Sequence, residues 1–545
     1  MRGPLIIMTL LPFALFAQWV DPHATVATRN LYENLRQTSK GNLLFGHEDA
    51  LAYGLNAEGT RWINVDENRS DVKSVTGSHP AVYGWDIGRL ELPDSSANID
   101  DVDFEDMKRW IREGYERGGL ITISWHSNNP ATGGDTWDTS ERPVGKIIPG
   151  GTLHEAYKIW LDRIADFFLD LKDSQGAFIP VVFRPYHEHT GSWFWWGRSH
   201  CTADEYVTLW RFTVDYLMNE RDIHHLLYAY APSNHGVSDE SDYLRRYPGD
   251  DYVDVLGTDD YGNVSSDGQK NAFLRNIRIA VDLAEERNKV AALTETGLER
   301  IPDQDWFSHR IVDPIINDPV ARKLSWFLVW RNGRPDHYYA PYPGHQTADD
   351  LVRIYAHSFV LFEDELPDLY APNSVTILQE LPDLTLETNA EIVLALNDYF
   401  DFTGGSYDVI YPENPTVVAI DLIHDDQLKI VAGPVEGKVM IGVRATADDG
   451  TWLELVFKLT IEAAEIVMNV DPSDQLYFYP NPAKERVTFS PSVTFMGLKN
   501  AKGKDQNIMF DLESATMDLS TLVPGVYFVK LHHAGHVEYR KLIKR

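Results

Sequence analysis

Val181-Val182-Phe183-Arg184-Pro185-Tyr186-His187-Glu188-His189 opens with branched and aromatic residues and closes with a row of polar, titratable ones. The first part, Val181–Tyr186, has the length and composition of a strand buried on both faces, and the second lies where such a strand leaves the core. Seven more short runs between 40 and 331 resemble the first part: Leu43–His47, Val82–Ile87, Leu120–Trp125, Leu226–Tyr230, Val253–Gly257, Val290–Thr294 and Leu324–Trp330. Helical patterns separate them. Phe104–Arg117 carries Phe104, Met107, Trp110, Ile111 and Tyr115 at helical spacing, and His154–Leu171 is another such stretch. Gln269–Arg287 follows a capping Asp267 or Gly268 and sets Phe273, Ile277, Ala280, Val281 and Ala284 on one stripe, and Ala348–Phe362 is the last. Eight strand–helix alternations predict an α/β fold, a (β/α)8 TIM barrel over residues 22–370.

Beyond about 371 the helical period stops. Ile392–Leu396, Thr416–Asp421, Lys438–Ala445 and Leu453–Ile461 read as strands, with turns at Thr403-Gly404-Gly405 and Asp448-Asp449-Gly450. They predict a small β-sandwich over 372–465. A second small β domain is expected over 474–545, from Tyr479-Pro480-Asn481-Pro482 to the closing Gly525-Val526-Tyr527-Phe528-Val529-Lys530 and a basic end.

Residues 1–17, MRGPLIIMTLLPFALFA, have a basic Arg2, a short apolar run and a small Ala17, the layout of a cleaved signal peptide. The run is too short for a stable membrane span, so export without membrane insertion is expected. Cys201 is the single cysteine, which excludes an intrachain disulfide and leaves no cysteine for a lipid anchor near the signal end. The formal charge is −33, from 82 acidic and 49 basic residues. That field repels nucleic acid, anionic membranes and polyanionic substrates, and leaves a neutral polymer unaffected. The 15 Trp and 26 Tyr supply apolar surface for a core and flat rings for stacking on a ligand.

In a barrel of this kind the site lies at the C-terminal strand ends. Those ends carry Trp125-His126-Ser127-Asn128-Asn129-Pro130, then His187-Glu188-His189, Thr258-Asp259-Asp260-Tyr261, Thr294-Glu295 and Trp330-Arg331. Glu188 and Glu295 close strands four and seven, which face each other across the barrel mouth. Two carboxylates so placed can flank a glycosidic bond, one protonating the leaving oxygen and one attacking the anomeric carbon. Ion pairs with Arg or His compete as an explanation for any lone Glu; two opposed ones amid histidines and tryptophans favour catalysis. His126 and His187 are candidates to bind sugar hydroxyls or hold the carboxylates, and Tyr261 to donate to the nucleophile. Trp330, Trp193 and Trp137 are candidate platforms for pyranose rings, whereas core packing is favoured for Trp195 and Trp196. Arg184 is expected to brace Glu295 or Glu188. Successive His187, Glu188 and His189 on a strand point to alternate faces and cannot converge on one metal ion, so no metal is expected. No Gly-rich phosphate loop and no Gly-x-Ser-x-Gly elbow is present, and no organic cofactor is expected.

At these residues the chain resembles glycoside hydrolase family 26, the β-mannanases. The resemblance rests on Gly46-His47-Glu48-Asp49, Trp125 through Pro130, Arg184 through His189 with Gly191-Ser192-Trp193-Phe194-Trp195-Trp196-Gly197, Asp260-Tyr261, Thr294-Glu295 and Trp330, and covers 40–365. His187 before the acid/base Glu is specific to it, since most relatives in the same clan have Asn there. The resemblance implies Glu188 as acid/base, Glu295 as nucleophile, and His126, His187, Tyr261 and Trp330 lining the subsite of the attacked sugar. Trp193 would stack on the leaving-group side. The implied activity is a secreted, retaining endo-1,4-β-mannanase acting as a monomer on mannan, galactomannan or glucomannan. The alternatives are a xylanase or β-glucanase of the same family and an inactive glycan-binding barrel. The tail resembles a C-terminal sorting domain of the type IX secretion system, which implies that machinery as a partner and a route through the periplasm to the medium or the cell surface. The middle domain looks Ig- or cadherin-like and is expected to be a spacer.

Overall fold

The structure, a computed structural model, describes residues 19–545 apart from 65–67, 411–416, 464–477, 491–492, 513 and 534–535. The expected signal peptide lies outside the described residues. Eight parallel strands form the barrel: β1 Leu43–Glu48, β2 Val82–Asp86, β3 Leu120–Trp125, β4 Val181–Pro185, β5 Leu226–Tyr230, β6 Val255–Asp260, β7 Val290–Thr296 and β8 Trp326–Val329. They pair in chain order, and β8 closes on β1 with Leu44 opposite Trp326 and His47 opposite Val329.

Alternation along these strands sorts the side chains into two cores. One set faces the outer helices: Leu43, Phe45, Tyr83, Trp85, Ile121, Ile123, Val181, Phe183, Tyr228, Leu256, Leu293 and Phe327 belong to one buried cluster with helix residues such as Met107, Trp110 and Leu161. The other set points inward. Leu44, Val82, Leu120, Val182, Leu227, Val255, Val290 and Trp326, one from each strand, form a separate cluster with Leu31, Tyr32 and Leu35 of the helix Val26–Thr38. Higher on the same inward rows the residues become polar: Glu48, Asp86, Ser124, Arg184, Asp259 and Thr294, all buried. The barrel therefore has an apolar floor and a charged upper layer.

The helices that shape the rim begin where the sequence supplies caps. Asp103 accepts from the N–H groups of Glu105 and Asp106 at the start of Phe104–Glu116, and Thr202 with Glu205 forms a reciprocal capping box on Ala203–Asp215. The third helix departs from expectation. It runs Lys270–Arg287 after Gln269, and Asp267 sits in a preceding 3-10 turn, where its carboxylate pairs with His309 and Arg310 instead of capping. The last helix also differs, ending at Tyr355; Val360–Leu361 is a short strand, β9, beside β1.

Downstream, one sheet joins Leu384–Glu387, Trp452–Glu462, Gly437–Thr446 and Ser406–Val409, and another joins Glu391–Ala395, Gln427–Ala432 and Val418–Ile423. Ile430, Ile441, Val443, Leu455 and Phe457 are among the side chains of their shared core. These sheets are fixed to the barrel. Glu454, fully buried, accepts from Asn42 at 2.8 Å and Arg444 at 2.6 Å, and Arg322 pairs with Asp383 at 2.9 Å. Residues 464–545 form a separate compact unit whose described part holds two four-stranded sheets over a core that includes Val487, Phe489, Met517, Val529 and Leu542. Among the described residues no helix is long and apolar enough to cross a membrane.

Candidate active site

β4 stops one residue earlier than its apolar run suggests. Tyr186 and Glu188 take positive φ, 49° and 53°, so residues 186–190 form a turn and do not continue the strand. Non-glycine residues held there cost on the order of 1–3 kcal/mol each, and such strain clusters at functional sites. Strand alternation therefore does not govern His187-Glu188-His189 as expected, although the three side chains still diverge. His187 meets His126, Glu188 reaches Trp193, and His189 packs between the rings of Tyr206 and Tyr230 at 4.5 and 4.7 Å.

Glu295 is placed by a different device. Thr258 is opposite Leu293 and Asp259 is opposite Glu295, so Thr294 is an extra residue on β7, a β-bulge. Bulges re-aim side chains at barrel rims. Here Thr294 donates to Asp259 Oδ1 at 2.6 Å while Glu295 also reaches inward, to Arg184. Arg184 resolves the expected alternatives: it pairs with Glu295 and, at 2.9 Å, with Asp259, and not with Glu188. Tyr261 donates to Glu295 Oε2 at 3.0 Å. Its own ionisation is pushed well up by burial and by Glu295 and Glu188.

Carboxylate oxygens of Glu188, Asp259 and Glu295 all lie within 4.8 Å of one another. Withdrawal from water, then the negative charges of Asp259 and Glu295, push the Glu188 carboxyl well above its ordinary range. Trp193 donates to Glu188 Oε2 at 2.6 Å. Its indole lies across Gly191, where a Cβ would meet the ring at 2.3 Å, so a side chain here would displace Trp193. The same three carboxylates are the one grouping among the described residues close enough to share a metal ion, but the Arg184 guanidinium already occupies Asp259 and Glu295.

Rings complete the rim. His126 packs edge-on to Trp330 at 6.0 Å and to Phe194 at 5.3 Å, and stacks under Trp137 at 5.8 Å. Trp137 is 51% exposed, whereas Trp195 and Trp196 are fully buried, as the core explanation requires. The structure thus brings His126, His187, Glu188, Trp193, Tyr261, Glu295 and Trp330 together on one rim.

A family model for glycosyl hydrolase family 26 matches residues 20–365. The chain belongs to this family. Among solved structures, a family 26 β-mannanase from Bacteroides ovatus is similar at 43% identity and a TM-score of 0.60, covering 64% of this chain and 98% of that one. A modular endo-β-1,4-mannanase from Cellulomonas fimi is similar at 30% identity and a TM-score of 0.58, covering 82% and 99%. A mannan endo-1,4-β-mannosidase from Bifidobacterium adolescentis is 38% identical over 285 residues, which span 51% of this chain and 27% of that protein. Residues 477–545 match a secretion system C-terminal sorting domain.

Within this family 26 site, sequence reasoning passed over several residues. Asp259, at the end of strand six, is one of them, although its place on an inward row is a usable signal. Asp86 accepts from His126 Nδ1 at 2.8 Å, and Arg331 pairs with Asp100 at 2.6 Å. Glu48 lies over Gly84, where a Cβ would meet its Oε2 at 1.9 Å. Burial, then Asp49 and Glu295, raise its carboxyl well above the usual range. Asp86, Asp259, Arg331 and Glu48 are polar residues inside or just past apolar runs, Asp100 lies in the loop after β2, and only barrel closure brings them together.

Proposed function

We propose that this chain is a retaining endo-1,4-β-mannanase, with Glu295 as nucleophile and Glu188 as acid/base. One observation carries the reading: Glu188 and Glu295 present oxygens within 4.8 Å on one rim. Retaining enzymes set their carboxyl groups ~5–5.5 Å apart, while inverting ones leave about 6.5 Å or more for a water. The two environments also differ as the roles require. Glu188 is biased toward its protonated form by burial and by two anions. Glu295 is ion-paired with Arg184 and accepts from Tyr261.

Glu295 attacks the anomeric carbon as Glu188 gives its proton to the departing oxygen, forming a glycosyl ester on Glu295. Glu188, now a carboxylate, takes a proton from water, which attacks the same carbon and frees Glu295. His126, His187, Tyr261 and Trp330 line the place of the attacked sugar and Trp193 flanks the leaving group. The names of the relatives favour mannan over xylan or glucan as the neutral polymer. Residues 22–370 are the catalytic domain, 372–465 a spacer fixed to it, and 474–545 a tail read by the type IX machinery, which delivers the monomeric enzyme to the medium or cell surface after signal-peptide removal.

A reducing-sugar assay of the full chain on galactomannan, xylan and barley β-glucan tests the reading, with galactomannan expected to be cleaved fastest. Proton NMR of the first product should show the β anomer. Faster xylan or glucan cleavage overturns the substrate, an α anomer overturns the mechanism, and binding without cleavage overturns the enzyme.

A further inference from the structure

Two imidazoles meet in the rim with their rings nearly perpendicular, at 81°, and their centroids 4.5 Å apart. His126 Nε2 and His187 Nε2 lie 3.1 Å apart, both rings are buried, and a single proton must sit between them, donated by one and accepted by the other. The other end of His126 is fixed. Its Nδ1 lies 2.8 Å from Asp86 Oδ2, which also accepts from Ser124 Oγ at 2.7 Å and from the His126 N–H at 3.1 Å, while Gly88 N–H donates to Oδ1 at 2.8 Å. Four donors converge on one carboxyl, so Asp86 is held as the anion and His126 Nδ1 carries a proton. The far end of this pair, His187 Nδ1, is buried without a partner among the described residues.

We propose that Asp86 is a positioning residue that holds His126 as an imidazolium, donating from Nε2 to a neutral His187, so that Glu295, paired with Arg184, has a second cation in its field. The charges around the two rings favour the same arrangement. Burial opposes charge on His126, but Asp86 outweighs it and lifts the imidazole above its ordinary value. Burial, then Arg184 and His126, hold His187 well below its own. The charged groups around His126 are Asp86 on β2, Asp100 in the loop after it, Arg184 on β4, Asp259 on β6 and Glu295 on β7; Trp137, Phe194 and Trp330 add only uncharged rings.

The consequence for catalysis rests on the reading of Glu295 as nucleophile. A cation next to Glu295 compensates its charge before attack and is no longer balanced once the ester forms, so the proton on His126 tunes both half-reactions. A raised imidazole keeps its proton to higher pH. Removing the Asp86 charge lets that proton leave at lower pH, and the alkaline limb of the rate must follow it down.

Nitrogen-15 NMR of the histidines in the full chain tests the assignment without turnover. Wild type should show two protonated nitrogens on His126 and one on His187 at neutral pH, and Asp86→Asn should lower the His126 titration by at least about one pH unit. The rate arm uses a dinitrophenyl β-mannobioside, whose departure needs no proton from Glu188. Its alkaline limb in kcat/KM should move down in Asp86→Asn by the same interval. A neutral His126 in wild type overturns the proposal even if the variant does not fold, and so does an unchanged titration in Asp86→Asn. A moved titration with an unmoved limb keeps the dyad but removes its role at Glu295.

Discussion

The floor and the upper layer of this barrel are built on the same eight strands and the same inward rows, and they are opposite in chemistry. Leu44, Val82, Leu120, Val182, Leu227, Val255, Val290 and Trp326 close the floor with branched and aromatic groups. Two to four residues further along, the rows present Glu48, Asp86, Ser124, Arg184, Asp259 and Thr294. The floor gains its free energy from apolar burial, about 25 cal/mol per Å². The upper layer sets buried charges against one another, an arrangement whose desolvation cost consumes much of what pairing returns. One end thus stabilises the barrel while the other spends stability on a poised electrostatic site.

Substitutions at the two ends should separate accordingly. The largest effect is expected at Glu295→Ala, which removes the attacking carboxylate. The rate should fall by at least about 10⁴-fold while the chain stays folded and still binds galactomannan, as affinity electrophoresis would show. Glu188→Gln should cost roughly 10²–10⁴-fold on polymer, the usual worth of proton transfer. Formation of the glycosyl-enzyme from an aryl mannoside with a good leaving group should be nearly spared, visible as a burst of phenol. A variant slowed equally on both substrates would take the proton-donor role away from Glu188. On the floor the pattern reverses. Leu227→Ala, at 1% exposure, should lose about 2–5 kcal/mol in denaturant unfolding, with kcat on the folded enzyme within about twofold of wild type.

The floor was also the more legible end. Each of the eight barrel strands overlaps its apolar run, and the errors at the C-terminal ends fall where the runs turn polar. The sixth run, Val253–Gly257, stops short because the strand extends to Asp260 through Thr258 and Asp259, buried polar residues that hydrophobicity does not count. The seventh continues to Thr296 through a bulge that no local pattern announces. The fourth ends early, at Pro185, because Tyr186 takes positive φ. The two glutamates were recognisable because they end apolar runs and match a family motif. Asp259, on an inward row, and Glu48, inside a family-matching stretch, carried a local signal, but their roles and that of Asp86 depend on which neighbours the closed barrel puts within reach.

The smallest expected effect lies at the outer edge of the upper layer. Trp137 covers His126 on one side and leaves half its surface to solvent, while Trp195, from the Gly191–Gly197 loop, is fully buried and donates to Ser127 O at 2.9 Å. The two indoles test whether an aromatic on this rim serves the fold or the ligand. Trp195→Ala removes core volume and should cost about 3–5 kcal/mol of stability. Trp137→Ala removes an aromatic face worth about 1 kcal/mol, so KM for a mannan should rise roughly fivefold with kcat and the unfolding midpoint almost unchanged. If the midpoint falls and KM holds, Trp137 is a structural cover for His126, and the boundary between the part of the barrel that folds and the part that binds moves outward by one ring.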